Sequence, residues 1–444
     1  ERVRQMGEAC DSLAGFQVFA DDLTGFGALA AAVLSEVAEE YGSRPRVLFS
    51  LRQPGQGQGG RGGSAAAAAR EDLSEALALT RMTELVSLYV PLAVPADRTA
   101  LPYLSYNPWL PFHSSAILAS AIDTALLPTR LAGVRSALGE PLGASDLHSL
   151  TRLLRPVGHP GANLAALHLA LPCPSLPADL QQLQQQLDQR IRPPHAHAAV
   201  TAAAAAGTTA GGSGGGSSWA GLTSPAALSQ ALHGSTAQLS LDGGLASLTP
   251  GISGREDAAR GSSWAESYCL RGGRTDAGPA STSSALQALD ALLLRHPHRM
   301  CVRHRCAAPL PLPVPLPFPS IFSPRVSLHG DVMLRPTTFS PGAAAAATSA
   351  AAAASSHTPG AASSGVVARA AGQGVHSVPV LTRMHATREF EGWVAGVHGR
   401  WGRAAGGSAG RAVLDAWGLG TDDAAEVGAA LQEVVTALGE EEEV

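Results

Sequence analysis

Four stretches, residues 54–70, 196–218, 248–263 and 342–374, limit what the rest of this chain can fold into, because they are built largely from small residues. Ordering a backbone costs about 1–2 kcal/mol per residue, and side chains of that size bury too little apolar surface to offset it. Each stretch is read as a disordered insertion. The rest is then a folded core broken several times, and 444 residues exceed the roughly 100–200 of a simple domain, so two domains are expected.

The blocks between the insertions are periodic. Residues 26–41 place Leu29, Val33, Leu34, Val37 and Tyr41 at three- and four-residue steps, with Glu36, Glu39 and Glu40 on the other side. That spacing predicts an amphipathic helix. Residues 46–51 form a short apolar run suited to a buried strand, and the order strand, loop, helix, strand across 16–51 implies a parallel α/β layer. Further helices are expected over 71–89, 146–154, 180–187, 388–401 and 422–438, a strand over 378–381, and a solvated acidic tail at 439–444.

Composition removes several chemistries. No Lys occurs, so all 31 basic residues are Arg; a Walker-type phosphate loop, a Schiff base and a Lys general base are excluded. With 36 acidic residues the formal charge is -5, which gives no overall footprint for nucleic acid. Cys10, Cys173, Cys269, Cys301 and Cys306 are an odd, scattered set, better suited to a reducing, cytosol-facing compartment than to a disulfide scaffold. No apolar run reaches the roughly 18–20 residues that span a bilayer, so membrane association is expected to be peripheral. The chain starts at Glu1 and enters helical-looking sequence directly, as expected of an amino-terminally incomplete product.

One block carries a specific likeness. Cys10, Asp11, Leu13, Gly15, Phe16 and Gln17 resemble the C-D-x-L-Q-G-F-Q block of tubulins, which leads into a glycine-rich phosphate loop and a helix ending in E-E-Y. Here the helix ends in Glu39-Glu40-Tyr41, and the loop position holds Leu23, Thr24, Gly25, Phe26 and Gly27. A phosphate needs close backbone approach, which glycine permits. Only Gly25 and Gly27 remain, Phe26 stands between them, and Asp21 and Asp22 upstream would repel a polyphosphate, although the simpler role for both is to begin the helix as capping residues.

A second block, Tyr106, Asn107, Pro108 and Trp109, followed by residues 121–126, resembles the tubulin region that grips the guanine ring. Asn107 matches one base-contacting Asn of that family, and Thr124 replaces the other; a structural turn at Asn107-Pro108 explains the first equally well. Where tubulins carry an acidic hydrolysis loop, residues 161–174 offer Asn163 with no acid nearby. The run 110–124 is similar to the Misato family more closely than to any polymerising tubulin, and residues 377–380 and 422–427 agree. The chain thus resembles the larger, carboxy-terminal part of a Misato protein.

Other constellations carry less. Cys301, His304 and Cys306, with His296 and His298 upstream, lack a second paired knuckle, so a strand beside a Pro-rich turn is preferred to a metal site. The Gly55-x-Gly57-x-x-Gly60 match and the run 211–215 lie in low-complexity sequence. His113 and His168 are read as hydrogen-bonded core residues, and Trp393 and Trp401 as anchors on one helix face, in the core or toward a partner.

The fold expected is α/β, tubulin/FtsZ-like: residues 1–154 as a partial nucleotide-type domain and 155–444 as an α+β second domain ending in two outer helices. The resemblance implies a non-catalytic protein, without cofactor and with GTP binding weak or absent. It implies action through protein partners, cytoskeletal or on the mitochondrial outer membrane, in mitochondrial distribution, morphology and inheritance, with a location at that membrane and in the cytoplasm. Degenerate nucleotide-site positions are Thr24, Gly25, Gly27 and Asn107. Two alternatives stand beside this reading, a divergent GTPase using those residues and a microtubule or spindle assembly factor.

Overall fold

The computed structural model of the chain describes residues 2–55, 64–131, 143–155, 163–176, 239, 244–253, 263–275, 278–294, 301–333 and 374–439. After a short helix α1 (Arg2–Glu8), strand β1 (Phe16–Ala20), helix α2 (Gly25–Glu40), strand β2 (Arg46–Leu51), helix α3 (Ala65–Leu85) and strand β3 (Leu88–Leu92) alternate. The strands pair in parallel, Phe16 opposite Arg46 and Val47 opposite Leu88. Strand β2 reads Arg-Val-Leu-Phe-Ser-Leu, a near-continuous apolar run, as a strand covered on both faces must. Leu48 and Tyr89 point toward α2 and α3, with Leu34 and Leu73; Val47, Phe49 and Val90 point the other way, toward Ile117 and Ala121 of α4 (Pro111–Ala125).

The short helices α5 (Leu127–Arg130) and α6 (Leu147–Leu153) lead to a mixed sheet. Its order is β5 (Ala246–Ser247), β4 (Ala166–Ala170), β12 (Val380–Thr387), β6 (Ser263–Arg271), β9 (Val302–Ala308). Strand β12 runs antiparallel to β4 and β6, whereas β6 and β9 are parallel. A bridge between Tyr89 and Leu164 joins the two sheets edge to edge. The short strands β7 (Arg274–Thr275) and β8 (Gly278–Pro279), helix α7 (Thr282–Leu294), and the pair β10 (Leu312–Pro313) and β11 (Ser377–Val378) lie around this sheet. Helices α8 (Glu389–Gly406), α9 (Ser408–Trp417) and α10 (Thr421–Gly439) close the chain and pack on α3. The architecture is α/β and tubulin-like.

Several expectations are corrected. The helix expected over 71–89 starts earlier, at Ala65 behind the Ser64 cap, and ends at Leu85; Leu88 keeps the helical spacing, but pairing with β2 takes it into a strand. The insertion at 54–70 therefore loses its last residues to α3, and Ala69 is buried. The insertion at 248–263 is not wholly loose: Leu248 donates its N–H to the Leu167 carbonyl at 2.9 Å, and Leu248 and Ile252 are core residues. Near the end, 378–381 is the junction of β11 and β12, and the helix expected at 388–401 runs on to Gly406.

Helix α2 does not bury the whole stripe read from its period. Leu34 and Val37 are buried, but Leu29 is 61% and Val33 48% exposed. The sheet meets a narrower face, on which Gly27 rather than Leu29 lies inward. The insertions at 196–218 and 342–374 (apart from Gly374), the helix at 180–187 and the tail beyond Gly439 lie outside the described residues.

Candidate nucleotide-type site

The turn between β1 and α2 holds three of the four expected site residues. Thr24 caps α2, its hydroxyl accepting from the Phe26 N–H at 3.4 Å. The Gly27 N–H donates to the Thr24 carbonyl at 2.9 Å, and the Leu23 N–H to Asp21 Oδ1 at 3.2 Å. Three amides that could face a bound phosphate in such a turn are thus satisfied by the turn itself.

The two glycines differ. A Cβ on Gly27 would stand 2.3 Å from the Asp22 carbonyl oxygen, whereas one on Gly25 would meet nothing within 4 Å. Gly27 is required by the turn's own backbone. Together these residues line one end of a cleft of ≈ 1090 Å³ between α2, α3 and α10, with Arg70, Arg81 and Glu426 on its walls.

Asp22 is neither an exposed charge nor a helix cap, which corrects both readings of it. Its carboxylate is buried and held by Arg52 in two contacts, Nε to Oδ1 at 3.2 Å and Nη2 to Oδ2 at 2.8 Å, with the Ser50 and Tyr89 hydroxyls also donating. Arg52 also reaches Glu75 Oε1 on α3 at 2.8 Å and stands 5.6 Å over the Trp393 ring. Burial pushes the Asp22 carboxyl up, but the Arg52 charge and the donated hydrogen bonds outweigh it, so it stays below the ordinary carboxylate value. For Glu75 burial prevails over Arg52 and Arg400, and its carboxyl is raised. Sequence reasoning missed Arg52, Glu75 and Tyr89. A lone Arg at the end of an apolar strand was the available signal.

Asn107 does not join Thr24, Gly25 and Gly27. Its side-chain oxygen accepts from the Trp109 N–H at 3.1 Å and its own N–H donates to His113 Nδ1 at 3.0 Å, a turn that launches α4. Beside it, Pro108 and Trp109 line a second, mostly apolar cavity of ≈ 670 Å³ that also reaches Phe19, Leu118 and Ile122. Thr124 is fully buried. Asn163 ties the α3–β3 turn, its amide donating to the carbonyls of Thr83 at 2.8 Å and Val86 at 2.5 Å.

A tubulin-domain family profile matches residues 1–131. The human "Protein misato homolog 1" is 35% identical over 138 residues, which cover 30% of this chain and 24% of that protein. Over these residues the chain is similar to tubulin domains and to Misato-family proteins. The cattle protein of the same name is 29% identical over 185 residues, 40% of this chain and 30% of its own length. "Protein dml1" of Aspergillus clavatus is 27% identical over 151 residues, 34% of this chain and 29% of its own. The matched part is thus under a third of these relatives' length.

The other candidates have structural roles where they are described. His168 is buried, with Nε2 2.8 Å from His385 Nε2, and burial lowers its pKa to about 3. His304 contacts Ser267 Oγ at 2.9 Å and the Gly143 carbonyl at 3.0 Å. Cys269 and Cys306 sit opposite each other on β6 and β9 as free thiols. Among the described residues no three His, Cys, Asp or Glu side chains form a metal-capable group. His296, His298, residues 57–60 and residues 211–215 lie outside them. Trp393 and Trp401 are core residues on the inner face of α8. No described helix is long and apolar enough to cross a membrane.

Proposed function

We propose that this Misato-family protein acts without nucleotide chemistry, as a non-catalytic tubulin-like binding protein. Its process is mitochondrial distribution, morphology and inheritance, at the mitochondrial outer membrane and in the cytoplasm. The single observation that carries the reading is the self-satisfied turn at 21–27. A phosphate would have to displace the hydrogen bonds of Leu23, Phe26 and Gly27, beside the buried Asp22 carboxylate, whose partner Arg52 is already shared with Glu75. The process itself follows from the family resemblance, as do protein partners of cytoskeletal or outer-membrane type.

The test is titration calorimetry with GTP, with and without magnesium, on this chain and on the longest natural form containing it. No detectable heat is expected. Micromolar affinity would replace this reading with the GTPase one, in which the cleft beside Thr24, Gly25 and Gly27 holds nucleotide. Fractionation then separates the remaining pair: recovery with the mitochondrial outer membrane is expected, and co-sedimentation with microtubules instead would favour a spindle or microtubule assembly factor.

A further inference from the structure

The charges around Asp22 do not stop at α3. Glu75 takes Arg52 on Oε1 and Arg400 of the outer helix α8 on Oε2, and Arg400 also pairs with Asp72 at 3.1 Å. The side chains of Asp22, Arg52 and Glu75 are between 0% and 1% exposed, and that of Arg400 18%. An unbroken line of alternating charges therefore runs from the α2 entry turn, through the end of β2 and the middle of α3, to α8. Each carboxylate in it accepts from more than one donor. Removing one member leaves its neighbour buried and unpaired, which is far costlier than losing an exposed pair.

The route links the α2 entry turn to the outer helix α8 through buried side chains. Trp393 of α8 lies over the Arg52 guanidinium, so the helix covers the arginine as well as pairing with its partner. Asp22 is the residue whose carbonyl oxygen packs against Gly27, so its position sets the shape of the whole turn.

We propose that the Asp22–Arg52–Glu75–Arg400 line is a conformational device that makes the order of the 21–27 turn depend on the seating of α8. When Arg400 withdraws, Glu75 keeps a single cation, the hold on Arg52 is redistributed, and the turn that walls the α2–α3–α10 cleft loosens. Events on the exposed side of α8 are thereby felt at the cleft, with no contact between them.

Amide hydrogen exchange on the full chain tests this. Arg400→Met is compared with Val397→Ala, which thins the buried face of α8 without touching a charge. Arg400→Met is expected to raise exchange at Leu23, Phe26 and Gly27 by about tenfold or more, as local opening does, while Val397→Ala raises it in α8 alone. Arg400→Lys, which keeps the charge and loses the forked contact, is expected to fall between. If Arg400→Met leaves the turn unchanged, if both variants loosen it equally, or if exchange rises uniformly through the molecule, the device does not exist.

Discussion

Two of the buried charge clusters among the described residues are built differently. Around Asp22, the members come from a turn, a strand, an inner helix and an outer helix, with 30 residues of sequence between Asp22 and Arg52 and 325 between Glu75 and Arg400. Around Glu266, the members come from neighbouring strands of one sheet: Arg383 on β12 and Arg303 on β9, the latter at 3.1 Å, with Ser263, His385 and His168 beside them. In the second cluster a backbone ladder fixes the side chains before any charge is paired. In the first the charges themselves help fix the elements. Pairing within a ladder decorates a structure; pairing between layers holds one together.

The largest expected effect follows from that contrast. Arg52→Met strands Asp22 and Glu75, both without solvent, and should destabilise the protein by about 3–5 kcal/mol in denaturant unfolding. A loss within about 1 kcal/mol would show that the layers are held by packing alone.

The sheet cluster is separable by pH, because it contains histidine. The unfolded His168 takes a proton near its ordinary 6.5, while the folded one, pushed down by burial to about 3, does not. Between those values the unfolded state binds more protons, so stability falls as pH falls. Between pH 6.5 and about pH 4.5 the loss should be about 2–3 kcal/mol, and His168→Gln should flatten that slope. Below roughly pH 4, Asp22 and Glu266, both held below their ordinary values, add losses of the same sign.

Glu266→Gln is expected to cost less than Arg52→Met, about 2 kcal/mol, since the Gln amide oxygen can still accept from the buried Arg383 while the Arg303 side chain, 21% exposed, can turn to water. An equal cost in the two variants would erase the distinction between the clusters. The smallest pair concerns the glycines. Gly27→Ala should lose about 1–3 kcal/mol through the clash with the Asp22 carbonyl, and Gly25→Ala should stay within about 0.5 kcal/mol of the parent. Thermal melts of both variants decide whether the glycines serve the turn.

Much of the fold was legible. The run 46–51 became β2 with the same bounds, residues 26–41 became α2 within a residue, and 422–438 became α10, because burial on one face imposes a period that local sequence must carry. The helix over 71–89 was read too far, since Leu88 satisfies two periods and only its pairing with Val47 decides between them. Of the site positions, Thr24, Gly25 and Gly27 meet at one cleft end and Asn107 stands apart, a separation that no spacing could reveal.

The sequence by itself determined the strand–turn–helix order at 16–41, the thinning of the turn to two glycines, the family likeness and the absence of any lysine. Tertiary structure alone decided what Asp22 is for. Read along the chain it is one of two adjacent acids before a helix; in the fold it is the buried end of a charged line that reaches α8. A buried charge takes its meaning from its partners, and those partners are brought together only when strand, turn and helices close over the same space.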